Sequence, residues 1–320
     1  MTPTATVLVP RQPPAFPFAR IEEPVTSIEV SPELDDGGDR EGLCYRVLSR
    51  VLAGEEIRLT VREVDGGIVG PRVLGSSGAR STENPRTREP EDPLKDVAVV
   101  MPHRGREDHL QAALASVSRA DCAPRTYLGR DVEGVGHFVI LQQLIERAAE
   151  PFLVFHDSDD VSCADRFTTL RAAFDETGAG RIGSHELRVD EIEGTVRPVR
   201  FPLDVNAALA VAPGFAQLHP TTMVRREAFL AAGGFSTHHR FANDTQFLYR
   251  SFFSMRLRNV DAFLYVRRRH PGAVTVRPET ALGSPLREAI EAEWMRDFEE
   301  VKAGRLTLAE SSLRVIRGAS

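Results

Sequence analysis

The chain is 320 residues long, 42% hydrophobic and 27% charged, with a formal net charge of -6 at pH 7. A length above the usual single-domain mode favours one large α/β domain with a smaller appendage. No long Lys/Arg run occurs apart from Arg267-Arg268-Arg269, so there is no electrostatic footprint for nucleic acid. Three cysteines without metal or framework spacing (Cys44, Cys122, Cys163) predict a cytoplasmic protein with free thiols. No apolar run approaches the ~18 residues of a membrane span, so no transmembrane segment is expected.

Residues 1–23 are Pro-rich (Pro10, Pro13, Pro14, Pro17) and read as an extended N-terminus. Residues 24–74 read as a small α+β module. Ser27-Ile28-Glu29-Val30 alternates like a strand, Leu43, Val47, Leu48 and Leu52 recur at helical spacing, and Ile57 to Val61 alternates again. Residues 75–94 lose all periodicity in favour of Ser, Arg, Glu and Pro and read as a linker.

Residues 95–280 carry an α/β pattern. Val97 to Pro102 is a continuous apolar run, as a strand buried on both faces requires, and Leu110, Leu114 and Val117 follow on one helical stripe. Tyr127 to Asp131 is a short strand with an acidic end, Phe138 to Ala149 a helix, and Phe152 to Asp160 a third strand ending in carboxylates. Strand, helix, strand, helix, strand between residues 96 and 160 is the build of a Rossmann-type half-sheet. Neither GxGxxG nor GxxxxGK[ST] occurs, so a dinucleotide or P-loop site is not indicated. Residues 281–320 hold a C-terminal helix and tail. Ser284-Pro285 starts the helix, and its stripe of Leu286, Ile290, Trp294, Phe298 and Val301 would pack on the parent domain or form a homodimer face.

The segment Phe155-His156-Asp157-Ser158-Asp159-Asp160 carries the most chemistry. A carboxylate leaving a sheet edge must be solvated, paired or metal-bound, and in open α/β sheets ligands dock at the carboxyl ends of strands. Mg²⁺ and Mn²⁺ take oxygen ligands and share them with substrate phosphates. An Asx-rich turn would look the same in sequence. Asp131 places a second acidic point on the same sheet edge. His156 lies beside Asp157 without zinc-like spacing and reads as a packing residue.

These blocks resemble GT-A glycosyltransferases, in particular the inverting family 2. The opening strand Val97 to Pro102 with its Arg-containing turn, the DxD-like Asp157-Ser158-Asp159, the run His219 to Arg226 with Ala232-Gly233-Gly234-Phe235 and Asn243-Asp244, and the late Arg268-Arg269-His270 segment occur in the family's order. The resemblance implies a GT-A-like mixed central sheet behind the small N-terminal α+β module. It implies that Asp131 contacts the nucleotide base, Asp157 the ribose and, with Asp159, a Mn²⁺ or Mg²⁺ ion on the donor diphosphate, with Pro102 and Arg104 on the donor side and His270 at the metal or phosphate. Asp244 would be the general base, or in its bland reading a helix N-cap. The family's usual Glu-Asp pair is Asn243-Asp244 here. The implied activity is transfer of a sugar from a UDP- or other NDP-sugar to the hydroxyl of a glycan, small molecule or peptide. A sugar-phosphate nucleotidyltransferase on a similar sheet, or a nucleotide-sugar-binding module without turnover, is the alternative.

Overall fold

A computed structural model describes residues 2–11, 21–22, 25–39, 42–65, 72–73 and 94–318; the expected linker lies almost wholly outside them. In chain order the strands are β1 (Thr4–Pro10), β2 (Ile21–Glu22), β3 (Ser27–Val30), β4 (Arg58–Val64), β5 (Arg72–Val73), β6 (Val97–His103), β7 (Arg125–Arg130), β8 (Phe152–Phe155), β9 (Val161–Ser162), β10 (Arg181–Asp190), β11 (Thr195–Arg200), β12 (Met223–Arg225) and β13 (Leu257–Arg269). The α-helices are α1 (Leu43–Leu52), α2 (Glu107–Ser118), α3 (His137–Arg147), α4 (Arg166–Thr177), α5 (Val205–Val211), α6 (Arg226–Ala231), α7 (Asn243–Phe252) and α8 (Pro285–Lys302).

The large sheet is mixed, with β2, β11, β10, β12, β8, β6 and β7 as neighbours in that order, and β13 paired to β10 and β9. Its β6, β7 and β8 are parallel. Successive residues of β6 point to opposite faces. Val97, Val99 and Met101 pack with Leu110, Ala113 and Val117 of α2 and with α4, while Ala98 and Val100 pack with Leu141, Leu144 and Ile145 of α3. Both faces are therefore covered, which is why the strand reads as one apolar run. The chain leaves β6 to one side for β7 and returns on the other for β8, so strand order reverses at β6/β8, the crevice where open α/β sheets bind ligands. The α/β half-sheet and the mixed central sheet expected of a GT-A-like fold are both present.

Two elements differ from expectation. The Pro-rich start contains β1, which lies inside the N-terminal sheet, parallel to β4 and antiparallel to β3. Ala5, Val7 and Val9 point into the module's core, an alternation masked by the prolines after it. The acidic strand stops at Phe155, and residues 156–160 form a turn leading into β9. Adjacent polar and charged side chains cannot alternate into a sheet core without burying charge on one face.

The N-terminal module shares one core with the main body, Val47, Leu48 and Leu52 of α1 packing with Val161, Leu187, Val189, Phe263 and Val266. The stripe on α8 is spent within the chain. Trp294 and Phe298 are buried with Tyr249, Phe252 and Phe253 at the end of α7, while Leu286 remains exposed. Each buried aromatic contributes about 2–3 kcal/mol. Among the described residues no helix is long and apolar enough to cross a membrane.

Candidate functional site

The carboxyl ends of β6, β7 and β8 converge on the acidic turn. Asp157, Asp159 and Asp160 each offer an oxygen, and all three lie within 4.8 Å of one another. The turn is tied down from several sides. Asp160 is fully buried and accepts from the Arg268 amide (2.8 Å) at the end of β13, while Arg268 Nε donates to the Asp159 carbonyl (2.9 Å). The same guanidinium donates to the Leu52 carbonyl of α1 and pairs with Glu191 at 2.8 Å. Tyr265 Oη accepts from the Asp157 amide at 3.2 Å, and His103 Nδ1 at the end of β6 hydrogen-bonds Ser158 Oγ at 2.9 Å. His156 is buried, bonded to the Asp157 carbonyl (2.7 Å) and Ser162 Oγ (3.0 Å), and burial followed by the charge of Arg166 pushes its pKa down to about 3.

Beneath the turn lies Arg166, whose guanidinium is fully buried. It donates to the carbonyls of Phe155 (3.0 Å) and Pro220 (2.6 Å) and to Ser162 Oγ (3.0 Å), and stacks over Tyr265 at 4.5 Å. Arg166 thereby binds the end of β8 to the tight 3₁₀ turn His219–Thr221. Sequence reasoning missed it, although a cation beside Phe167 and Leu170 on the buried side of a helix is a detectable break in pattern.

Electrostatically the three carboxylates strain against one another. Burial, then the charges of Asp159 and Asp244, push Asp157 up to about 7. Burial, then the charges of Asp159 and Asp157, push Asp160 well above the usual carboxylate range. Asp159 goes the other way: burial raises it, but the His270 hydrogen bond (Nε2 to Oδ2, 3.1 Å) and charge hold it below its ordinary value. A cluster of hard oxygen donors that resists carrying its own charge suits a divalent cation, which lowers the cost of every ionised member. The sequence-expected donors Asp157, Asp159 and His270 are thus together, and Asp160 joins them.

The remaining expected residues are distributed around this centre. Asp131 follows β7, and its two carboxylate oxygens accept from the amides of Val135 (2.8 Å) and Gly136 (3.0 Å), holding the loop that opens α3. Arg104 lies 3.8 Å from Asp131, and Pro102 is buried in β6 beside Gly129. His137, the first residue of α3, reaches within 3.9 Å of Asp157. His219 stacks on Phe155 with centroids 4.4 Å apart, and burial, Arg181 and His137 hold it neutral.

Asp244 occupies the first turn of α7, half-buried, and its charge acts on Asp157, His137 and Arg181. It does not cap the helix, since Ala242 holds the capping position. Ala242 has φ 62°, and among the described residues it is the one non-glycine residue in the left-handed region. Such a conformation costs roughly 1–3 kcal/mol and collects at functional sites. Asn243 is fully buried and donates to the His239 carbonyl at 2.5 Å, so this position packs, while Asp244 beside it stays partly exposed. Arg250 is structural: its guanidinium holds the carbonyls of Ala232, Gly234 and Leu313, and the left-handed Gly233 and Gly234 make the turn it grips.

No family model matches the chain, and no curated protein matches it significantly. Solved structures similar in shape include S. aureus TarS residues 1–349, at 13% identity, covering 68% of this chain and 74% of that one with TM-score 0.45. The same protein in complex with UDP-GlcNAc aligns at 14% identity over 68% of this chain and 75% of that one, TM-score 0.46. GalNAc-T7 with UDP, GalNAc and Mn²⁺ aligns at 10% identity over 56% of this chain and 45% of that one, TM-score 0.43.

Proposed function

We propose that this protein is a metal-dependent, inverting glycosyltransferase that moves a sugar from a nucleotide-sugar donor to an acceptor hydroxyl, working in the cytoplasm. The observation that carries the reading is the acidic turn at the strand-order reversal, with three mutually repelling carboxylates on one side and Asp244 on a strained helix start beside them. The donor diphosphate docks at the turn, where Asp157, Asp159 and His270 would hold a Mn²⁺ or Mg²⁺ ion. When bound, that ion neutralises charge developing on the leaving diphosphate. Asp131 and Arg104 flank the nucleotide side. Asp244 takes the proton of the acceptor hydroxyl as it attacks the anomeric carbon from the face opposite the diphosphate, so configuration inverts in a single displacement. Such a base contributes about 10²–10⁴ in rate.

A panel of nucleotide-sugars tested by thermal shift with and without Mn²⁺ identifies the donor, since a ligand of the native state raises apparent stability as RT ln(1 + [L]/Kd). Turnover with that donor should release nucleoside diphosphate. Release of pyrophosphate would establish the nucleotidyltransferase alternative, and donor binding without turnover across a broad acceptor set would leave a binding module.

A further inference from the structure

We propose that His137 is a further catalytic residue, whose ring N–H hydrogen-bonds a phosphoryl oxygen of the donor diphosphate at the start of α3. The inference rests on the reading of the acidic turn as the diphosphate site. His137 opens the 11-residue α3, and its Nε2 lies 3.9 Å from Asp157 Oδ1, too far for a hydrogen bond. Among the described residues the ring makes none, although only 35% of the side chain meets solvent. Its place is fixed from both sides. Asp131 accepts from the Val135 and Gly136 amides just before it, and Gly136, at φ 111°, turns the chain into the helix. The ring packs edge-on against Phe138 (centroids 5.0 Å apart) and His219 (6.5 Å). Packing, and no bond of its own, therefore holds this nitrogen beside Asp157.

The surroundings of His137 suit a ligand made of acceptors. The amides of His137, Phe138 and Val139 have no carbonyl to bond within the helix, and the helix end carries partial positive charge. Behind them His219 is 5% exposed with Nδ1 unpartnered, so the polar lining continues inward. A Cβ at Gly136 would meet no heavy atom within 4 Å, so the approach to this helix end is open. A wall of N–H donors matches phosphoryl oxygens, which only accept, whereas a sugar hydroxyl would also need an acceptor for its proton. The carboxylates of the acidic turn offer such an anion no hydrogen bond, so its oxygens turn to the donors of α3. In the transfer, the bond from the anomeric carbon to the diphosphate breaks with its electron pair staying on the diphosphate oxygen, and His137 shares its proton without giving it up.

The test needs no acceptor. UDP, GDP, CDP, ADP and dTDP are titrated into the full chain with Mn²⁺ by calorimetry, and the tightest is carried into the variants. His137→Phe keeps the edge-on packing and removes the donor. It should weaken that diphosphate about tenfold or more, with the affinity for Mn²⁺ alone within about twofold of the parent. His137→Gln restores an N–H and should recover most of the loss. If His137→Phe does not fold, His137→Ala takes its place. Diphosphate affinity within about twofold of the parent in the variant without a donor overturns the proposal. An equal loss for Mn²⁺ alone also overturns it, making His137 a metal ligand, and a His137→Gln variant as weak as His137→Phe makes it a packing residue. With the donor identified, His137→Phe should also lower kcat about tenfold or more, because charge on the diphosphate grows toward the transition state. A parent that binds none of these diphosphates with Mn²⁺ overturns the reading of the acidic turn and this proposal with it, a result distinct from any failure confined to the variants.

Discussion

Asp157→Asn should stabilise the metal-free protein while removing its response to Mn²⁺. Its carboxyl, pushed from 3.8 to about 7 by burial, Asp159 and Asp244, prefers to be protonated in the fold. A rise of that size corresponds to ~4 kcal/mol. Because 33% of the side chain still meets solvent, we take ~1–2 kcal/mol after screening. The sign follows from linkage: a raised folded pKa gives an advantage that is whole below the ordinary value and is lost as pH climbs through about 7. Asparagine mimics the protonated form at every pH. In urea unfolding with EDTA, the variant should match the parent near pH 4 and exceed it by ~1–2 kcal/mol above pH 7. With millimolar Mn²⁺ the order should reverse, since the parent gains binding energy the variant cannot. A variant less stable than the parent at pH 8 in EDTA, or one stabilised equally by Mn²⁺, would refute the view of the turn as a strained cation site.

Asp244→Asn should lower turnover by about 10²–10⁴ while donor affinity, read by calorimetry, stays within about threefold. His270→Ala removes the hydrogen bond to Asp159 and should weaken Mn²⁺ binding by about 10–100-fold in titration calorimetry. Arg166→Met leaves the Phe155 and Pro220 carbonyls without their buried donor and should cost about 3–5 kcal/mol in urea unfolding, with loss of soluble yield. His156 is held neutral with a pKa near 3, below its unfolded value, so its contribution is whole above the ordinary histidine value and drains as pH falls toward 3. Between pH 7 and pH 5 the parent should lose about 2 kcal/mol relative to His156→Gln, measured in EDTA.

The sequence disclosed what periodicity and local chemistry control. The continuous run in β6, the stripe on α2 and the Ser284-Pro285 start of α8 are each set by neighbours in the chain, and all stand where expected. What it withheld depends on long-range closure. β1 pairs with β4 more than forty residues later, so its Ala5-Val7-Val9 alternation had no visible partner. The burial of Arg166 and Arg181 is completed by tertiary packing that the sequence analysis did not anticipate. The carboxylate oxygens of Asp131 also accept from two loop amides, a use fixed by the backbone path that residue type alone did not announce.

Arg268 has a consequence for how the molecule comes apart. A single side chain fastens the first helix of the N-terminal unit to the main-chain oxygen of Asp159, while its own amide holds Asp160. Losing the front of the polypeptide would slacken the acidic turn and leave that guanidinium short of an acceptor. The two regions should therefore melt as one cooperative body, with the leading segment bracing the acidic turn as much as the strands behind it.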